Sequence, residues 1–308
     1  MSQVVPAANS APRPSITANL TDRKAPVGLL AGAGLFPIYF AKKAGESGIP
    51  VVCVGVAGMA DPELARQCSE FTWLRRFSLG FVFKVFRRGR VRQWTMAGKF
   101  HKHIIFQPRR FLMLWPDWRL LRFFFWRRRH NNSDDSLLLG LIDEFRAEGF
   151  DCVSALDLCP ELLVKPGNLT RRRPSDSEWA DIRYGWELAK KMGELDIGQS
   201  VMVRERAVLA VEAIEGTDAA IRRAGTLCGN RGFVVVKVAK PQQDRRFDMP
   251  TIGPQTIQTM IEAGSRVLAI EAGETIILDD AATIELANRA GIAIVALTAA
   301  GIAEHLGE

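Results

Sequence analysis

Val27-Gly28-Leu29-Leu30 runs straight into Ala31-Gly32-Ala33-Gly34-Leu35-Phe36-Pro37, and a helical pattern from Ile38 to Gly45 leads on to Val51-Val52-Cys53-Val54-Gly55-Val56. Strand, glycine-rich turn, helix and strand make a βαβ unit. Such a unit belongs to a parallel sheet covered by helices, with its ligand edge at the C-terminal ends of the strands. Glycines in the first turn let a phosphate approach backbone N–H groups at a helix start. The same turn reads equally well as a structural bend. The pattern is not Gly-x-Gly-x-x-Gly, because Pro37 takes the third position, and no acid ends the second strand where a ribose partner belongs. A nicotinamide site is therefore disfavoured.

The alternation continues along the chain. Trp94 to Lys99 reads as a strand entering a turn, Ser136 to Glu148 as a helix capped by Asn131 to Asp135, and Phe150 to Leu156 as a strand. A Pro/Gly/Arg-rich connector, Leu163 to Arg173, marks a domain boundary. Beyond it the pattern predicts a helix over Ser175–Leu195, strands over Val201–Arg204 and Ala207–Ala213, and a helix entered through Glu215-Gly216-Thr217-Asp218. A strand over Gly232–Val236, a helix over Pro254–Ala263 and a strand over Val267–Ile270 follow. A hairpin-like Thr275–Leu278, a helix over Asp280–Ala290 and a strand over Ile292–Leu297 complete it. The expectation is an α/β protein of two α/β domains. Residues 26–164 are expected to form a Rossmann-like parallel-sheet domain and residues 165–308 a C-terminal α/β domain. Residues 1–25, rich in Ser, Ala, Asn and Pro without an apolar core, are expected to be a disordered tail and not a signal peptide.

Charge is unevenly spread. Between Lys84 and Arg129 fourteen Lys and Arg stand against one acid, Asp117, so this insertion-like segment carries +13 of a chain whose net charge is +7. Within residues 100–129 arginines interleave with Phe111-Leu112-Met113-Leu114-Trp115, Trp118 and the run Leu120 to Trp126. Three readings stand: a nucleic-acid track, a helix at a bilayer interface, or an amphipathic helix packed on its own domain. Nothing else resembles a nucleic-acid module, so nucleic acid is not expected as a partner. Five cysteines without a Cys-x-x-Cys pair, and four histidines without a His-Glu-x-x-His pattern, speak against disulfides and zinc. No run approaches the roughly 18 apolar residues of a membrane span.

The densest chemistry follows the Gly232–Val236 strand. Lys237 and Lys240 sit where that strand ends, then come Asp244, Arg245, Arg246 and Asp248, with Pro250 and Gly253 fixing a turn. Charges on a rigid segment after a core strand suit loop-borne chemistry, and a solvated loop is the plain alternative. The segment Glu215–Asp218 also follows a buried strand, and two charged turns at neighbouring strand ends suggest one site. Asp134 and Asp135 read as helix-capping acids or as a pair able to hold Mg²⁺.

Taken together, Gly28-Leu-Leu-Ala-Gly-Ala-Gly-Leu-Phe-Pro37, Met96-Ala-Gly-Lys99, Asp134-Asp-Ser-Leu-Leu138, Asp196-Ile-Gly-Gln199, Glu215-Gly-Thr-Asp218 and Lys237-Val-Ala-Lys-Pro-Gln-Gln-Asp-Arg-Arg-Phe-Asp-Met-Pro-Thr-Ile-Gly253 resemble the LpxI family of UDP-2,3-diacylglucosamine hydrolases, in order, over about residues 27 to 298. The resemblance implies two α/β domains with the substrate between them. It implies cleavage of the UDP-2,3-diacylglucosamine pyrophosphate to UMP and 2,3-diacylglucosamine 1-phosphate (lipid X), in lipid A biosynthesis, with Mg²⁺ or another divalent cation. A non-catalytic nucleotide- or lipid-binding protein at the membrane surface is the alternative.

Asp248 is then the key catalytic carboxylate, with Lys237 supplying charge to the phosphates and Asp218 a second carboxylate. Asp248 and Asp218 become the metal candidates. Substrate contacts are expected from Gly32, Gly34, Leu35 and Pro37 in the first turn, from Gly98 and Lys99 in the second, and from Gln199 and Thr217. Lys240, Arg246, Thr251 and Gly253 complete the set, Arg246 either as a phosphate clamp or as the partner of a local acid. A cytoplasmic protein is expected; peripheral association with the inner face of the inner membrane, suggested by the basic aromatic segment, and a homodimer are left open. Ala33 departs from the three glycines frequent in such chains, Asn132-Ser133 stands before the Asp-Asp pair in place of a glycine, and the tail and the basic aromatic segment exceed the family pattern.

Overall fold

The computed structural model describes residues 25–76, 78–98, 134–241, 244, 246 and 249–304. The predicted tail and the segment 100–129 therefore lie outside the described residues. In the N-terminal half the chain forms β1 (Val27–Ala31), α1 (Phe36–Glu46), β2 (Val51–Val56), α2 (Leu64–Gln67), β3 (Glu70–Leu74), α3 (Leu79–Arg88), β4 (Gln93–Ala97), α4 (Asp134–Ala147) and β5 (Asp151–Cys152). All five strands are parallel, in the order β3-β2-β1-β4-β5. The chain winds outward from β1 to β3 and then restarts on the other side at β4. The switch point of this sheet is thus between β1 and β4, at their C-terminal ends. Every residue of β1 and β2 is buried, as expected for strands covered on both faces.

Two expectations are corrected in this half. The basic stretch from Lys84 is not an insertion from its start, because α3 belongs to the core. Val82, Phe83, Val85 and Phe86 are buried while Lys84, Arg87 and Arg88 face outward. Phe83 meets Phe145 of α4 edge-on at 4.8 Å, and Trp94 stacks on Phe145 at 3.7 Å between ring centroids. The strand expected over Phe150–Leu156 pairs only at Asp151–Cys152, and Ala155–Asp157 turns into a 3-10 helix capped by the Ser154 hydroxyl.

The C-terminal half forms β6 (Gly167–Asn168), α5 (Asp176–Glu194), β7 (Ser200–Arg204), β8 (Ala207–Val211), α6 (Thr217–Cys228), β9 (Val234–Lys237) and β10 (Thr251–Ile252). It continues with α7 (Pro254–Ala263), β11 (Val267–Glu271), β12 (Ile276–Ile277), α8 (Asp280–Ala290), β13 (Ala293–Leu297) and α9 (Ala299–Glu304). A capping box of Ser175 and Glu178 opens α5. Six strands make a mixed sheet ordered β6-β13-β11-β9-β7-β8, in which β13, β11 and β9 are parallel and β6, β7 and β8 run against their neighbours. One face packs on α6, α7 and α8, the other on α5 and α9.

The hairpin-like reading of Thr275–Leu278 is also corrected. Ile276–Ile277 pairs in parallel with Thr251–Ile252 as a separate two-stranded ribbon. That ribbon joins the two halves. Ile276, Met249 and Leu278 share an apolar cluster with Phe36, Ile38, Ala155, Leu156 and Leu162 of the N-terminal half. Burial, and then the carboxylates of Asp279 and Asp280 at the start of α8, push the Tyr39 phenol of α1 up.

Candidate active site

Lys237 ends β9 with its side chain on the α6/α7 face, and only 6% of the residue is exposed. Its Nζ donates to Thr217 Oγ1 at 3.0 Å and to the Thr251 carbonyl at 3.3 Å. Thr217 is the first residue of α6, behind Gly216 at φ +84°. Thr251 stands two residues before Gly253, the extended N-cap of α7, whose first residue is Pro254. One ammonium therefore ties together the approaches to two helix N-termini. Each presents unsatisfied backbone N–H groups and the positive end of a helix dipole. Lysine and helix starts sum to an anion-binding edge. Asp218, in the first turn of α6, is half-buried beside it.

A hydrogen bond and a close backbone approach, both hidden from sequence reasoning, lock this corner. Thr217 Oγ1 donates to Glu212 Oε1 at 2.8 Å. Gly198, of the predicted Asp-Ile-Gly-Gln turn, admits the Glu212 backbone so closely that a Cβ would fall 2.0 Å from the Glu212 carbonyl oxygen. Gln199 meets the end of β9, its carbonyl accepting from the Val238 N–H at 3.0 Å. Its Oε1 is buried without a hydrogen-bond partner among the described residues.

The root of the Lys237–Gly253 loop is pinned from α5. Glu271 Oε2 accepts from the Ala239 N–H at 2.8 Å, while Lys190 Nζ donates to the Ala239 carbonyl at 3.1 Å and to both Glu271 oxygens at 2.7 Å. Lys240 enters the site as an ion pair, Nζ to Asp196 Oδ1 at 2.6 Å. Arg246 pairs with a local acid: its guanidinium forks onto Asp244, Nε lying 2.9 Å and 3.1 Å from the two carboxylate oxygens. That bond raises the Arg246 pKa further. The Thr251 hydroxyl is turned to the Met249 carbonyl at 3.1 Å.

This loop lies against the N-terminal sheet. Burial pushes the Cys152 thiol, at the end of β5, up to about 12, and the charges of Arg246 and Asp244 act on the same thiol. Further along that edge, Gly32 donates to the Ala97 carbonyl at 2.9 Å. Gly98 packs on the Gly32–Pro37 turn, where a Cβ would fall 2.7 Å from Ala33 O and 2.9 Å from Pro37 Cγ. The two predicted N-terminal contacts thus form one surface at the switch point, with Gly34 at φ +99° and Leu35 exposed and Pro37 buried in the first turn of α1. Lys99 and Asp248 lie outside the described residues, as do the side chains of Asp134 and Asp135, which occupy the first turn of α4.

Fold and site define a two-domain α/β protein with an electropositive edge built from a buried lysine and paired helix starts. Residues 26–162 match the LpxI N-terminal domain and residues 165–295 the LpxI C-terminal domain. The chain belongs to the LpxI family. It is 33% identical over 274 residues to the UDP-2,3-diacylglucosamine pyrophosphatase LpxI of Caulobacter vibrioides, spanning 86% of this chain and 95% of that protein.

Proposed function

We propose that this chain hydrolyses the pyrophosphate of UDP-2,3-diacylglucosamine to UMP and lipid X, in lipid A biosynthesis. The observation that carries the reading is Lys237 bridging Thr217 and the Thr251 carbonyl at the starts of α6 and α7. In the reaction a water oxygen bonds to one phosphorus, the bridging P–O bond breaks, and negative charge grows on the departing phosphate. The Lys237 ammonium and the N–H groups of both helix starts hold that charge. Asp248 orients the water and takes its proton, or fixes the group that does. The Gly32–Pro37 turn and Gly98 face the nucleotide or diphosphate from the other domain.

Among the described residues no three Asp, Glu, His or Cys converge on a metal site. The chemistry still suits Mg²⁺, which keeps several waters and takes only one or two carboxylates besides phosphate oxygens. Asp218 and Asp248 would hold it, and when bound it supplies charge neutralisation on the diphosphate. No helix among the described residues is long and apolar enough to cross a membrane. We place the protein in the cytoplasm, at the inner face of the inner membrane, where a diacylated substrate resides; flotation with anionic vesicles tests this.

Release of UMP decides the main reading. Turnover with Mg²⁺ should vanish with EDTA and fall by roughly 10²–10⁴-fold in Asp248→Ala, with uridine-nucleotide binding retained. A folded wild-type protein that releases no UMP in detergent would make it a binding protein instead.

A further inference from the structure

Glu212 has no part in the reaction as drawn above. It follows β8 and is 8% exposed. Val201 pairs with Val211, so Glu212 stands opposite Ser200, to whose carbonyl its N–H donates at 2.8 Å. Ser200 in turn pairs with Lys237 across β7 and β9. Side chains alternate along strands, so Glu212, Ser200 and Lys237 form one row on one face of the sheet. Thr217 closes the row from above. Its single proton goes to Glu212 Oε1 at 2.8 Å, which leaves its oxygen lone pairs to accept from Lys237 Nζ at 3.0 Å. The chain of bonds therefore has one direction, from ammonium through hydroxyl to carboxylate. Glu212 Oε2 and Ser200 Oγ are both buried without a hydrogen-bond partner among the described residues. A carboxylate buried with one oxygen unbonded is costly unless a cation compensates it, and Lys237 is the cation at the other end of this network.

We propose that Glu212 is a positioning residue for phosphoanhydride hydrolysis: through Thr217 it holds the Lys237 ammonium in place between the starts of α6 and α7. The inference rests on the proposed reaction for its catalytic meaning, while the placement itself can be tested without turnover.

The experiment compares full-length wild type, Glu212→Gln, Thr217→Val and Glu205→Gln. Glu205 is exposed in the turn at the far end of β7 and β8 and pairs with Arg204 at 3.1 Å, so its variant removes an equal charge without touching the network. Two quantities are read: steady-state UMP release, and the Nζ resonance of Lys237 in lysine-labelled protein, assigned by its absence in Lys237→Arg. Glu212→Gln should lower kcat by about ten- to a hundredfold with KM within about twofold, and the protected Nζ signal should be lost to fast exchange. Glu205→Gln should leave both unchanged. Should Glu212→Gln melt early, Thr217→Val breaks the same link from the middle and should give the same two losses. Unchanged kcat, a loss confined to KM, or a retained Nζ signal in the folded variant overturns the inference. If the wild type itself releases no UMP, the proposed reaction fails, and the Nζ signal alone still decides whether Glu212 holds the lysine.

Discussion

Gly98 sits at φ +93° directly after β4, with the Ala33 carbonyl and the Pro37 ring against the place a side chain would occupy. Gly98→Ala would meet both the left-handed backbone penalty and an overpacked neighbour, each of order 1–3 kcal/mol. The expected result is a loss of about 2–4 kcal/mol in unfolding free energy, read from the urea midpoint and slope, with activity falling further than stability because the first turn is displaced. Unchanged stability would show that the turn yields freely. That the chain turns at Gly98 after a strand was legible in sequence, from the run Trp94–Lys99. What it touches was not, because Pro37 lies about sixty positions earlier. Glu212 is the opposite case. An acid interrupting the apolar run Ala207–Ala213 was visible, yet only the register of β7, β8 and β9 brings it to Lys237.

Helix α5 acts as the abutment of the Lys237–Gly253 loop. Along its last turns and exit, Lys190 meets Ala239, Gly193 packs on Lys240 and Pro241, and Asp196 pairs with Lys240. Glu271 at the end of β11 completes the clamp by bonding both Lys190 and the Ala239 N–H. Glu271→Ala leaves an uncompensated, largely buried lysine and an orphaned amide, and should cost about 2–4 kcal/mol. Hydrogen exchange at Ala239 should accelerate more than at Val235 in the middle of β9; equal acceleration would mean a global effect and no clamp. Helices α7 and α8 were readable to the residue because Pro254 and Asp280 open them and Gly264 and Gly291 close them. The ribbon of β10 and β12 was not, because a two-residue strand is defined by its partner and carries almost no periodicity of its own.

At the scale of the whole molecule, charge is segregated. Arg87 and Arg88 of α3 pair with Glu148 and Glu70, so part of the basic stretch is balanced within its own domain. The arginines of residues 100–129 lie outside the described residues. Neutralising Arg127, Arg128 and Arg129 together should weaken binding to anionic vesicles about a hundredfold at low salt, from roughly 1 kcal/mol per basic residue, and salt should do the same to the wild type. Vesicle flotation checks it, and indifference of the unaltered protein to anionic vesicles would remove the membrane from the proposal. The shared cluster of Ile276, Met249 and Leu278 with Phe36, Leu156 and Leu162 has a consequence for synthesis. The first domain leaves the ribosome with a hole in its apolar side that is filled only when residues near 249 and 276–278 emerge. Until then the nascent chain carries a sticky half-core, so its folding is completed late, and severing the gene at the domain boundary yields two pieces that each lack part of the same seam.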